Sequence, residues 1–123
     1  MIYSSVIRER FRQPRFQGAL SAPDAVFEDV NPLCGDRIRI ACRLADGRLA
    51  EARHTGDSCA ICVASADVLL ERVVGETVEA ALSVGLDELL ERLGADIRPT
   101  RMKCAALPLD VLRAALAGRE VAT

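Results

Sequence analysis

Lysine is almost missing from this chain: Lys103 is the only one, and arginine carries the rest of the positive charge against a formal net charge of -2. Near-balanced charge without clustered basic residues excludes a general nucleic-acid binder, which presents net positive charge along one face. Long apolar runs are missing as well. No stretch of about 18 uninterrupted apolar residues occurs, so no membrane span is expected. The arginine-rich N-terminus contains Glu9 and is followed by no apolar signal core, so it reads as a folded helix of a cytoplasmic protein. There is no internal repeat or low-complexity segment. Histidine occurs once, at His54.

What is present suits one domain over residues 1–123. At 123 residues and 50% hydrophobic, the chain can build one real core and is too short for two. A monomer is the default expectation. Five cysteines is an odd number, and without a secretory signal it points to reduced thiols rather than a disulfide framework.

Ile2, Tyr3, Val6, Ile7 and Phe11 fall on one helical face, and the helix over 2–13 is ended by Pro14. Residues 15–24 read as a loop pinned by Phe16 and Leu20, and Ala25 to Val30 as a short strand. From Arg37 to Leu44 the pattern alternates, with Ile38, Ile40, Cys42 and Leu44 on a core face and Arg37, Arg39 and Arg43 on a wet one. Asp46-Gly47 is a two-residue hairpin signal that pairs Leu49 to Thr55 back antiparallel. Helices are expected from Cys59 to Val74, with Gly75 as its cap, from Thr77 to Leu82, and from Leu86 to Leu93 before Gly94. The last helix is placed from Leu107 to Ala117, with Pro108 in its first turn and Gly118 after its end. Strands grouped early and helices grouped late give an α+β fold. Its three-stranded antiparallel sheet carries an N-terminal helix and C-terminal helices on one face.

Three loops carry the chemistry. Asn31-Pro32-Leu33-Cys34-Gly35-Asp36 sets a thiol and a carboxylate two residues apart on a turn, Gly56-Asp57-Ser58-Cys59 ends at the foot of a helix, and Arg101-Met102-Lys103-Cys104 precedes another. Thiolates with one carboxylate suit zinc or an iron-sulfur centre, so Cys34, Asp36, Cys59 and Cys104 form a ligand set if the loops converge. A helix N-terminus favours thiolate at Cys59, and Lys103 with Arg101 gives Cys104 a similar bias. No pair among these cysteines has short zinc-finger spacing, so unrelated loop cysteines remain an alternative. Cys59-Ala60-Ile61-Cys62 is a C-x-x-C at a helix start, the pattern of thiol oxidoreductases, but the parallel βαβ context of that class is absent. Cys62 and Cys42 read as small packing residues, and His54 as a structural one.

These pieces together resemble the U-type iron-sulfur cluster assembly scaffolds, the IscU/NifU N-terminal group, and within it the SufU branch most. The matching residues are Tyr3, Pro14-Arg15 with Gly18, Asn31 to Asp36, Gly56 to Cys59 continuing into Ala64-Ser65-Ala66, and Arg101 to Leu107. The resemblance implies a SufE/NifU-like α+β fold with its cysteines clustered at one exposed end. It implies Cys34, Cys59 and Cys104 as ligands of a transient Fe-S cluster, or of zinc in the resting site, with Asp36 as the fourth ligand that keeps a cluster labile. Cys104 would be the residue that receives persulfide sulfur from a cysteine desulfurase, and downstream Fe-S assembly or apo-acceptor proteins would be the recipients. Tyr3 would lie near the scaffold's contacts.

The chain also departs from the pattern. Lys103 stands where the IscU branch has histidine, as in the SufU branch, yet the separation of Cys59 from Cys104, 45 residues, leaves no room for the SufU insertion. Ile97-Arg98-Pro99-Thr100-Arg101 replaces the chaperone-docking motif, which puts delivery by a dedicated chaperone in doubt. Ser58 replaces a glycine, and Cys62 a serine. The resulting expectation is an assembly protein that accepts sulfur and scaffolds or relays a nascent cluster. A structural zinc-binding interaction module and a C-x-x-C thiol oxidoreductase are the alternatives.

Overall fold

The computed structural model describes residues 4–33 and 35–121. Helix α1 spans Ser5–Arg12, with Ser4 as its N-cap: the Ser4 hydroxyl accepts the Ile7 N–H at 3.2 Å and donates to the Leu93 carbonyl at 2.6 Å. Strands β1 (Ala25–Asn31), β2 (Asp36–Ala45) and β3 (Arg48–Asp57) form one antiparallel sheet in the order β1-β2-β3. The β2-β3 hairpin turns through Asp46 and Gly47, at φ 54° and 75°. Two successive positive φ values define the hairpin turn that matches strand twist, and this is why Asp-Gly stands there.

The alternation in β2 holds: Ile38, Ile40 and Cys42 are buried and Arg37 and Arg39 exposed. Ala41, on the opposite face, is buried too, because residues 18–20 cross that face and line a cleft with Arg39, Ala41, Arg53 and Thr55. The strap is fastened along β3, where Phe16 and Gly18 exchange backbone hydrogen bonds with His54. The sequence showed no period there because a strap held by backbone bonds needs none.

Helices α2 (Ala60–Val73), α3 (Val78–Leu82), α4 (Leu86–Leu93) and α5 (Met102–Val121) follow. Every residue of α2 from Ile61 to Leu70 is buried, since α1, α4, α5 and β3 all pack against it. A helix apolar all round belongs in the interior, and α2 is the axis of this core. Its two buried polar residues are satisfied. Ser65 Oγ donates to the Ala105 carbonyl at 2.6 Å, and Asp67 accepts from Arg10, His54 and two backbone N–H groups. Gly94 takes the left-handed conformation at the end of α4, as its position predicts.

The last helix differs from expectation. It starts at Met102 instead of Leu107, entered through a 3-10 turn over Pro99–Arg101, so Pro108 lies inside it. Proline removes the N–H that would bond the carbonyl four residues back, which normally marks a helix start. Here the burial of Cys104, Ala105, Leu107 and Leu109 against the core carries the helix through it. Tertiary packing outweighs the local signal. Among the described residues no helix is long and apolar enough to cross a membrane.

Candidate metal and sulfur site

The β1-β2 turn is organised by Asn31, whose side-chain carbonyl accepts the Leu33 N–H at 3.1 Å and whose backbone carbonyl accepts the Gly35 N–H at 2.8 Å. Asn31 pairs across the turn with Asp36, the first residue of β2, and both are buried. Cys34 lies outside the described residues, as does Tyr3.

At the same end of the sheet β3 finishes at Asp57, and Gly56 sits beneath Arg37 with φ 148°. A Cβ on Gly56 would lie 2.1 Å from the Arg37 carbonyl oxygen, so only glycine fits. This close approach steers the chain into Cys59, the N-cap of α2, which makes no side-chain cap bond of its own. Asp36 serves in its place: Oδ1 accepts the Cys59 N–H at 2.9 Å, and Oδ2 lies 3.7 Å from the Cys59 sulfur. Cys104 reaches the same place from the first turn of α5.

One ligand atom from each of Asp36, Cys59 and Cys104 lies within 4.8 Å of the others. Donors around a tetrahedral ion at bond lengths of about 2.0–2.3 Å stand roughly 3.3–3.8 Å apart, so small side-chain adjustments would close this set on zinc. The two sulfurs occupy the N-terminal ends of two helices, where backbone N–H dipoles favour negative charge. Asp36 is 3% exposed and Cys104 1%, whereas Cys59 is half-buried and is the sulfur that solvent reaches.

Arg101 supplies the positive charge. Hydrogen bonds to the Cys59 and Cys104 sulfurs raise the pKa of its guanidinium above the ordinary value. The sequence marked Arg101 and Lys103 as equal neighbours of Cys104. The structure separates them, for Lys103 points to solvent and Arg101, three residues before Cys104, shares its side of the helix entry. Arg101 Nε and Ser58 Oγ are both buried without a hydrogen-bond partner among the described residues. Orphaned polar atoms cost about 1–3 kcal/mol each, and two of them beside three convergent donors fit a site built to receive a further group.

The other singled-out residues lie elsewhere. Cys42 is fully buried in the sheet's helix-covered face, and burial pushes its thiol up to about 12. Cys62, fully buried in α2, belongs to the core cluster. His54 Nε2 lies 3.0 Å from Asp67 Oδ1 in the interior, so the one histidine is structural. Asp67 was not singled out from the sequence, although an acid inside an otherwise apolar helix is a signal that it must be paired. Despite burial, the His54 bond, the Arg15 and Phe16 N–H groups and Arg10 hold Asp67 down at about 2.

Comparison with known proteins agrees with this architecture. The chain is 30% identical over 137 aligned positions to the zinc-dependent sulfurtransferase SufU of Bacillus subtilis, covering 97% of this chain and 92% of the relative. It is 31% identical to the iron-sulfur cluster assembly scaffold protein IscU 1 of Archaeoglobus fulgidus, covering 94% and 74%. Among solved structures, a candidate iron-sulfur cluster assembly scaffold for the SUF system from Fervidobacterium islandicum AW-1 superposes with a TM-score of 0.81 at 25% identity, covering 93% of this chain and 96% of the other. The N-terminal part of a NifU-like protein from Brucella abortus has the same fold, with a TM-score of 0.78 at 22% identity, covering 98% and 95%. The model of the NifU-like N-terminal domain matches residues 2–120, and the chain belongs to that family.

Proposed function

We propose that this protein serves iron-sulfur cluster assembly, accepting sulfur from a cysteine desulfurase and holding or relaying a nascent cluster at Cys34, Asp36, Cys59 and Cys104. The observation that carries the reading is the convergence of the Asp36 carboxylate with the Cys59 and Cys104 sulfurs at two helix N-termini. Its relatives include both a protein named as a zinc-dependent sulfurtransferase and proteins named as scaffolds. Cys34, between Leu33 and Gly35 in the sequence, is the fourth ligand in this reading.

Zinc bound by these four residues would hold the thiols deprotonated and the loops in register. The chain's own part in sulfur transfer is a thiol-disulfide exchange. The Cys104 thiolate attacks the outer sulfur of the desulfurase persulfide, the donor's S–S bond breaks as a new one forms, and the donor cysteine leaves as thiolate. No net oxidation occurs in this step. Arg101 faces the thiolates and offsets their charge while sulfur is exchanged. The cluster, built from this sulfur and iron, is cargo, and Asp36 gives it one oxygen ligand, weaker toward iron than thiolate, through which it can leave.

Desulfurase turnover measured with the wild-type protein and with Cys104→Ser tests the assignment. Stimulation by the wild type and its loss in the variant are expected; no stimulation, or an undiminished variant, rules out the sulfur-acceptor role. Anaerobic reconstitution with iron and sulfide, followed by visible and Mössbauer spectra, tests the scaffold role separately.

A further inference from the structure

The opposite flank of the sheet carries a feature that cluster chemistry does not use. Strand β1 is an edge strand, and among the described residues no strand pairs with it on its outer side. Five consecutive residues, Val26 to Val30, are exposed. Val26, Phe27 and Val30 are 38%, 40% and 46% exposed, and Leu33, where the strand runs into the cysteine turn, is 79% exposed. An edge this long, apolar at both ends, is a template for another strand, and proteins guard such an edge by shortening, bulging, covering or charging it. Here β1 pairs with β2 in unbroken register over all seven residues.

The charges on β1 choose the occupant. Glu28 and Asp29 sit at its middle, with the apolar residues on either side. Neither makes an ion pair with another described residue; Asp29 accepts only its neighbour Val30's N–H, at 2.8 Å. A second copy of the chain laid antiparallel on β1, in the register centred between its two acids, would set Glu28 opposite the copy's Asp29 and Asp29 opposite its Glu28. Like charges directly opposite in a sheet destabilise it, so the edge disfavours itself. A strand with apolar residues at its ends and two basic residues at its centre meets every position favourably.

We propose that the outer edge of β1 is a strand-addition site for an extended segment of a partner protein in which apolar residues flank a basic pair. Main-chain hydrogen bonds give such a segment its affinity, and the Glu28–Asp29 pair gives it register. The site stands whether or not the cysteine cluster carries a metal.

The test uses the whole protein and two blocked peptides, Val-Val-Lys-Arg-Val-Thr and the charge-reversed Val-Val-Glu-Asp-Val-Thr, followed by amide NMR and hydrogen exchange. The basic peptide should protect the β1 amides that do not bond to β2 and should bind about tenfold more tightly than the acidic one. In the double variant Glu28→Lys, Asp29→Lys, altered only at exposed positions, the preference should invert. Protection elsewhere than β1, equal binding of the two peptides, an unchanged preference in a folded double variant, or a peptide-independent dimer protected at β1 would each overturn the proposal.

Discussion

The carboxylate of Asp36 holds Cys59 twice, through the backbone N–H at 2.9 Å and beside the sulfur at 3.7 Å. It is therefore both the cap of α2, whose own N-cap side chain makes no cap bond, and one of the three convergent donors of the candidate metal site. The two roles separate by substitution. Asp36→Ala removes both, costing about 1 kcal/mol of stability as a lost cap and at least about 100-fold in zinc affinity. Asp36→Asn keeps a carbonyl oxygen for the Cys59 N–H but no anionic ligand. It should unfold at nearly the wild-type denaturant midpoint while losing most of the zinc affinity. Denaturation of the zinc-free proteins and competition with a chromogenic chelator read the two effects apart.

Arg101 and Lys103 make a second separable pair. The Cys59 and Cys104 sulfurs raise the pKa of the Arg101 guanidinium, whereas Lys103 is exposed. Arg101→Ala should weaken zinc binding by about tenfold or more, as loss of a group that orients and compensates ligands does. Arg101→Lys should recover only part of this, because an ammonium is a point charge without the planar fork that reaches two sulfurs at once. Lys103→Ala should bind zinc as the wild type does. If Lys103→Ala is the weaker binder, the assignment of the cation is reversed.

How far the sequence reached depends on whether the controlling force is local. The hairpin at Asp46-Gly47, the alternation of β2 and the end of α4 at Gly94 are set by backbone conformation and periodicity, and they stand where the residues place them. The start of α5 was misplaced by five residues because Pro108 is a local signal and the burial of Cys104 and Ala105 is not. Asp36, Cys59 and Cys104 were legible as candidate ligands through their types and the family resemblance, and the structure brings these three together. The Arg101 contact needed the turn at Pro99–Arg101, which aims its side chain, and no composition or spacing encodes that aim.

The buried Asp67 should make stability depend on acid. Its carboxylate is held at about 2, against an ordinary 3.8, with burial opposing and the His54, Arg15, Phe16 and Arg10 hydrogen bonds prevailing. A depressed folded-state value means the unfolded chain binds the proton more readily. The stabilisation is therefore complete above pH 3.8 and is lost as the pH falls toward 2, a loss of about 2 kcal/mol. Asp67→Asn leaves Arg10 with Glu71 as its one carboxylate partner and removes the buried charge that His54 and the backbone donors are arranged around, which should cost about 3 kcal/mol at neutral pH. Its stability should also lack that part of the acid dependence. Urea unfolding of both proteins at pH 7, 4 and 3 gives the comparison, and identical slopes against pH would show that Asp67 is not the linked group.

Cysteine labelling reads the architecture and the site in one experiment. Cys42 and Cys62 are fully buried, and burial pushes the Cys42 thiol up to about 12, so at pH 8 it is both shielded and protonated. Alkylation needs thiolate and access. In the native metal-free protein a short pulse of iodoacetamide at pH 8 should leave Cys42 and Cys62 unmodified and label Cys59 ahead of Cys104, which is 1% exposed. Added zinc should suppress labelling of both Cys59 and Cys104, since a coordinated sulfur has no lone pair available at the metal-facing side and the closed loops bar the reagent. Because Cys42 and Cys62 belong to a large core cluster of buried aliphatic residues built around α2, their labelling pattern should stay the same with zinc or with chelator. Exposure of Cys42 or Cys62 on chelation would instead mean that the metal holds the fold together, and the structural-zinc alternative would then replace the assembly reading.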